Sequence, residues 1–272
     1  MDAPIPSLRS ERYGGLSLPD GPTSAVVESL LAHRSVRAYS PTPLTPGTLE
    51  TLVAAAQSAP TSSNMQAWSV VAVEEPTRRA RLSVLAADQA FIRQAPLFLC
   101  WIADLSRLDR LGQADRARLE GLDFMEAFMV ALVDAALAAQ NAVVAAESLG
   151  LGTVYVGALR NRPEEVAAEL GLPPNAFAAF GLAVGHPDRA VPTAVKPRLP
   201  QSLVLHRERY RPHGEATAVA AYDSALAAFS RRMGLGAHSW TGRMRNRLGT
   251  AAALSGRDRM TAALRALGFR LR

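Results

Sequence analysis

Residues 119–149, LEGLDFMEAFMVALVDAALAAQNAVVAAESL, are apolar on nearly every helical face and close at Gly150. A helix with no polar side cannot lie on a surface, so this one must be central to a domain, covered by a sheet or by a second subunit. Segments of a different periodicity supply the cover. AWSVVAVE (67–74) is rich in strand formers, and APLFLCWIAD (95–104) is continuously apolar, as a strand buried on both faces is. GTVYVGAL (152–159) and AFAAFGLAVGHP (176–187) give two more strands.

Helices fill the intervals. In TSAVVESLLAHR (23–34), Val27, Leu30 and Leu31 share a face. In TPGTLETLVAAAQSAP (45–60), Thr45 is placed to cap, Pro46 to open and Pro60 to stop a helix whose Leu49, Leu52, Val53 and Ala56 face inward. Others are expected near 77–87, over NRPEEVAAELGL (161–172) with Asn161 and Glu164 at capping-box spacing, near 216–232, and in one or two arginine-rich helices beyond. The order lacks a regular βαβ rhythm, which favours an α+β (mixed α/β) fold. A single domain over 1–272 is expected, with 1–22 as a loose N-terminal arm.

Several chemistries find no support. Cys100 is the only cysteine, so there is no intrachain disulfide, and its apolar neighbours make it a core thiol. The five histidines lack metal-ligand spacing, and no metal is expected. Hydrolase, zincin and P-loop signatures are absent. With no apolar leader and no uncharged run of about 18 apolar residues, neither a signal peptide nor a membrane span is expected, and the cytoplasm is the natural compartment. The net charge of +6 is uneven: residues 231–272 hold ten arginines against one acid, leaving 20 basic and 23 acidic groups elsewhere. Such an arm suits phosphates or an acidic partner surface, but it lacks the interleaved aromatics of a nucleic-acid binder, and no nucleic acid is expected. Of the 30 basic residues only Lys196 is a lysine, which hints at a position that needs a compact ammonium.

Four polar clusters remain. LLAHRSVRAYS (30–40) ends a helix in His33, Arg34, Ser35, Arg37 and Ser40; helix-end cations and an anion clamp explain it equally well. SAPTSSNMQ (58–66) reads as a polar loop between helix and strand, and KPRLP (196–200) stiffens a loop around Lys196 and Arg198. GLGTVYVGALR (150–160) fails the dinucleotide fingerprint because Tyr155 stands where glycine is needed and no strand precedes it.

In this order the clusters, together with AADQAFIRQAPLFLCWIADLSRL, the end of the apolar helix and FGLAVGHPD, resemble the FMN-dependent nitroreductase superfamily. The resemblance is to its NADPH-dependent nitroreductase/flavin reductase branch and runs from about 26 to 210. It implies a nitroreductase-like fold in an intertwined homodimer, with a strand exchanged near the C-terminus and 203–272 embracing the partner subunit. It assigns the FMN phosphate to His33, Arg34, Ser35 and Arg198, the pyrimidine edge and ribityl chain to Arg37 and Lys196, and ribityl or ring hydrogen bonds to Ser62, Ser63, Gln66 and Gln89. Backbone from Tyr155 and Val156 to Gly157 and Ala158 would approach the ring. No side chain is expected to act as a catalytic acid or base, because the hydride chemistry belongs to the flavin.

The implied activity is hydride transfer from NADPH, with NADH the alternative donor, to small acceptors such as nitroaromatics, quinones or free flavin by a ping-pong mechanism. Arg231, Arg232 and Arg243 would take the nucleotide phosphate. The stretch RRMGLGAHSW departs from the branch in carrying no arginine between Arg232 and Arg243. That departure motivates the alternative of a flavin-binding protein that senses, stores or breaks down flavin without nicotinamide turnover.

Overall fold

The computed structural model describes residues 5–15, 21–236 and 238–272. In chain order the elements are α1 (Ile5–Arg12), α2 (Ala25–Ala32), α3 (Thr48–Gln57), β1 (Trp68–Val73), α4 (Pro76–Leu85), α5 (Ala90–Gln94), β2 (Leu97–Asp104), α6 (Ser106–Ala114), α7 (Met125–Ser148), β3 (Gly152–Val156), α8 (Pro163–Leu170), β4 (Ala176–Gly185), α9 (Glu215–Arg232), α10 (Trp240–Leu248) and α11 (Met260–Ala266). They fall into two compact units, residues 1–34 with 190–254 and residues 35–189 with 255–272.

The larger unit is built on a sheet of order β1-β2-β4-β3 in which every pairing is antiparallel. Side chains alternate across it. Phe98, Cys100 and Ile102 of β2, with Val154 and Val156 of β3, meet Leu82 of α4, Ile92 of α5 and Val166 of α8. Leu97, Leu99 and Trp101 of β2, with Leu182 and Val184 of β4, meet Leu52 and Ala56 of α3 and the alanine face of α7. All eight residues of β2 are buried, as its unbroken apolar run requires. Burial pushes the Cys100 thiol well above its ordinary range, consistent with an inert core group.

The long apolar segment breaks at Phe124, where a 3₁₀ turn over Glu120–Asp123 gives way to α7. By length and composition α7 could cross a membrane, yet Ala131, Ala135, Ala138, Ala142 and Ala146 are buried against the sheet. Small side chains let this helix approach the strands closely. Its other side carries an exposed stripe at helical spacing: Met125, Met129, Val133 and Leu137.

Other sequence expectations change at their edges. Helix α3 starts at Thr48 behind Gly47, which holds the N-cap position in left-handed backbone (φ +83°) with no side-chain cap; Thr45 does not cap, and its carbonyl accepts from the Thr48 hydroxyl. Asn161 and Glu164 form no capping box, because Arg257 takes the Asn161 side chain and Arg259 grips Glu164 bidentately at 2.6 and 2.7 Å. The strand expected over 152–159 stops at Val156 and becomes a 3₁₀ turn over Gly157–Asn161. No strand follows β4 among the described residues. Residues 255–272 return to this chain's own sheet unit, where Arg272 N donates to Asp123 O and Arg270 pairs with the Asp123 carboxylate.

The smaller unit packs Tyr222, Leu226 and Phe229 of α9 against Ala194, Leu199, Met233 and Trp240. Asp223 accepts from both the backbone N–H and the hydroxyl of Thr241, which ties α10 to α9. The N-terminal arm expected to be loose contains α1; the rest of 1–22 lies partly outside the described residues.

Candidate functional site

Segment 35–37 gains its geometry from β3. Ser35 makes a parallel bridge to Thr153, and Val36 N donates to Thr153 O at 2.9 Å. Val36 is buried over Gly152, where a Cβ would stand 2.6 Å from its Cγ2, so only glycine admits the segment this close. Because strand side chains alternate, Ser35 and Arg37 both point away from that contact and are exposed. Tyr39 locks the segment from the far side: its buried hydroxyl donates to the carbonyl oxygens of Val36 (2.9 Å) and Ala183 (3.2 Å). Burial holds that phenol protonated, well above its usual range.

The loop ahead of β1 is shaped by a residue that the sequence reading passed over. Asp134, in the middle of α7 and 1% exposed, accepts from Ser62 N (3.2 Å) through one carboxylate oxygen and from Ala67 N (3.1 Å) through the other. Between these anchors Ser63, Asn64 and Gln66 all adopt left-handed backbone, with φ of 49°, 55° and 47°. Such conformations each cost roughly 1–2 kcal/mol, of the same order as the two charge-assisted bonds that hold the loop ends. The Gln66 amide donates to Asn64 Oδ1 at 3.3 Å, and Arg107 clasps the base of the loop through Gln66 O (3.1 Å) and Ser69 Oγ (3.0 Å). The signal was legible in principle, since Asp134 is the only acid between 127 and 146.

β1 and β3 run in opposite directions, so the start of β1 and the end of β3 open at the same end of the sheet. There Val156 and Ala158 are buried, and a Cβ on Gly157 would lie 3.1 Å from Arg160 Nη2. Tyr155 faces the α7 side; its ring stands edge-on to Phe180 at 5.4 Å and its hydroxyl donates to Gln140 Oε1 at 3.3 Å. Burial, reinforced by Glu147, raises its pKa and keeps the hydroxyl protonated. Gln89 caps the start of α5, with its side-chain amide turned to Ala86 O at 2.9 Å.

The remaining cations lie in the smaller unit. His33 is the C-cap of α2 and Arg34 beside it is exposed. In the proline-stiffened loop Lys196 is half-buried and Arg198 exposed, and Arg198 N donates to Arg12 O at 2.8 Å. Arg231 and Arg232 are exposed in the last turn of α9, the latter 5.5 Å from the Phe229 ring centre. Arg243 is exposed near the start of α10. No group of three or more metal-ligating side chains occurs among the described residues.

The model of the nitroreductase family matches residues 30–186, and that of the nitroreductase family, C-terminal domain, matches 196–272. The chain belongs to the nitroreductase family. It is 43% identical over 185 residues to the FMN reductase (NADPH) of Bacillus subtilis, a match covering 68% of this chain and 74% of that one. It is 39% identical over 206 residues to the oxygen-insensitive NADPH nitroreductase of Salmonella typhimurium, covering 76% and 82%. The solved NADPH:FMN oxidoreductase from Vibrio harveyi complexed with NAD+ superposes with a TM-score of 0.81 at 32% identity, covering 92% of this chain and all of that one. The family models begin at residue 30, so α1 precedes them.

Each unit carries residue types that FMN asks for: His33, Arg34, Lys196 and Arg198 in the smaller are cations of the kind a dianionic phosphate or ring edge takes, and Ser35, Ser62, Ser63, Gln66 and the turn over 156–158 in the larger are hydrogen-bonding groups of the kind a phosphate, ribityl chain or ring edge takes.

Proposed function

We propose that this nitroreductase-family member is an NAD(P)H-dependent oxidoreductase that uses FMN, takes its electrons from NADPH, and reduces nitroaromatics, quinones or free flavin as a homodimer. Bound FMN would supply hydride acceptance and donation at N5 in a ping-pong sequence, so the protein need contribute no acid–base triad. The observation that carries the reading is the stretch 33–37: His33 and Arg34 follow a helix end while Ser35 and Arg37 share the outward face of a segment bridged to β3. Its residues bind the phosphate, and Arg37 with Lys196 supplies positive charge that favours a reduced, anionic flavin. Ser62, Ser63 and Gln66 orient the cofactor from a loop whose shape is set before binding, so little ordering cost falls on the complex. Gln89 contributes to ring recognition. Arg231, Arg232 and Arg243 attract the nucleotide phosphate of the donor, which favours NADPH over NADH.

The decisive experiment is an anaerobic titration. Purified protein is expected to be yellow and to bleach in the 450 nm region on adding NADPH, more readily than with NADH. A protein that cannot be reconstituted with FMN would sink the reading. Bound flavin that neither nucleotide reduces would instead mark a protein that senses, stores or breaks down flavin.

The site assignment has its own check. Arg34→Ala and Arg198→Ala are each expected to weaken FMN binding by about 10- to 100-fold, as loss of a charge-assisted phosphate contact does. Lys196→Ala is expected mainly to lower the flavin's reduction potential, read by equilibration against a reference dye. Unchanged FMN retention in both arginine variants would mean that the phosphate binds elsewhere.

A further inference from the structure

Arg12, in the last turn of α1, is only 7% exposed. Its guanidinium donates to three backbone carbonyls on two distant stretches of chain: Nη2 to Leu31 O (2.8 Å) and His33 O (2.7 Å), and Nη1 to Lys196 O (2.9 Å). Its own carbonyl accepts from Arg198 N at 2.8 Å. One residue therefore joins the end of α2, which leads into His33 and Arg34, to the loop that carries Lys196 and Arg198.

The chemistry explains why an arginine does this. Carbonyls at a helix C-terminus have no partners within the helix, and the flat guanidinium fork can serve several of them at fixed angles. A lysine ammonium is a single point at the end of a flexible stem and cannot span two elements in the same way. Arg12 lies before residue 30, ahead of the residues that either family model matches.

We propose that Arg12 is a positioning residue for recognition of the cofactor's phosphate: it sets the end of α2 and the Lys196–Arg198 loop as one cationic rim without touching the ligand. The inference rests on the assignment of that rim to the FMN phosphate. It implies that the N-terminal helix, which lies outside the family-matched residues, is part of the cofactor-binding apparatus.

The test compares two ligands that differ only in the phosphate. Full-length apoprotein is titrated with FMN and with riboflavin, following quenching of flavin fluorescence, for the unmodified chain and for R12A, R12K, R34A and R198A. Arg12→Ala is expected to weaken FMN by about 10- to 100-fold, the range for lost charge-assisted contacts, while riboflavin affinity stays unchanged. Arg12→Lys should recover part of the loss, and added methylguanidinium should restore R12A. FMN binding unchanged in R12A, equal loss of both flavins, or failure of both Arg12 variants to fold would overturn the proposal by leaving Arg12 a purely structural role or none. The other two variants separate the failures. If R34A and R198A keep the preference for FMN over riboflavin, the phosphate assignment falls and the inference with it. If they lose that preference while the Arg12 variants keep it, the positioning role alone falls.

Discussion

Asp134→Ala will cost about 3 kcal/mol of stability and most of the bound flavin, because it strips the partners from two backbone amides at once. Ser62 N and Ala67 N each donate to a separate oxygen of this carboxylate, which is 1% exposed. Hydrogen bonds to a charged group are worth roughly 1.5–3 kcal/mol apiece, and the amides left behind would be poorly placed to find water. In a domain of this size the expected fall in Tm is on the order of 10 °C. The flavin loss follows from the loop. With its ends released, nothing offsets the left-handed backbone at Ser63, Asn64 and Gln66, and the loop relaxes away from the shape that presents Ser62, Ser63 and Gln66. Asp134→Asn keeps one acceptor oxygen and should fall between the two. Thermal melts and flavin-to-protein ratios on the same preparations decide it; an alanine variant with unchanged Tm and full flavin content would show that the loop holds itself.

If the proposed homodimer is formed across α7, Val133→Lys will convert it to a monomer in sedimentation equilibrium at micromolar concentration. Val133 stands in the stripe Met125, Met129, Val133 and Leu137, each more than 40% exposed in the single chain, beside a cavity of about 370 Å³ lined in part by Pro60, Thr61 and Ser62. This exposed apolar stripe is the face the proposed homodimer would bury, and an unpaired ammonium buried in its middle costs several kcal/mol, which raises a dissociation constant by roughly a thousandfold. If a second copy covers α7, the variant should also lose flavin, because the loop formed by 61–66 borders the same surface. An unmodified chain that sediments as a monomer would remove the homodimer from the proposed function.

The two predictions rest on features that were unequally legible in the sequence. The strands were readable because their signal is local: eight apolar residues in a row at 97–104 can be satisfied only by burial on both faces. The candidate site clusters come from resemblance, whereas the contacts that hold those segments in place leave no such signal. Arg12 could not be found because its acceptors are backbone carbonyls, which every residue has, one of them 184 positions away. The capping box failed for a related reason: Asn161 and Glu164 have the right spacing, but Arg257 and Arg259, nearly a hundred residues later, offer stronger partners. Likewise Thr45 is a good cap by type, yet Gly47 reaches the left-handed conformation at no steric cost and starts the helix itself. Local rules gave the right elements and missed their ends, at α8 to distant arginines and at α3 to a neighbouring glycine.

If segment 35–37 holds the cofactor as proposed, its attachment to β3 has a consequence for how long that cofactor stays bound. It consists of the Ser35–Thr153 bridge and the bond from Val36 N to Thr153 O, locked by the Tyr39 hydroxyl, and not of a full ladder. Such an edge opens by local fluctuation at a small fraction of the free energy needed to melt the strands behind it. Residence time would then be set by peeling of this edge, on a clock separate from global unfolding, and an emptied chain would keep its sheet intact and ready to be refilled.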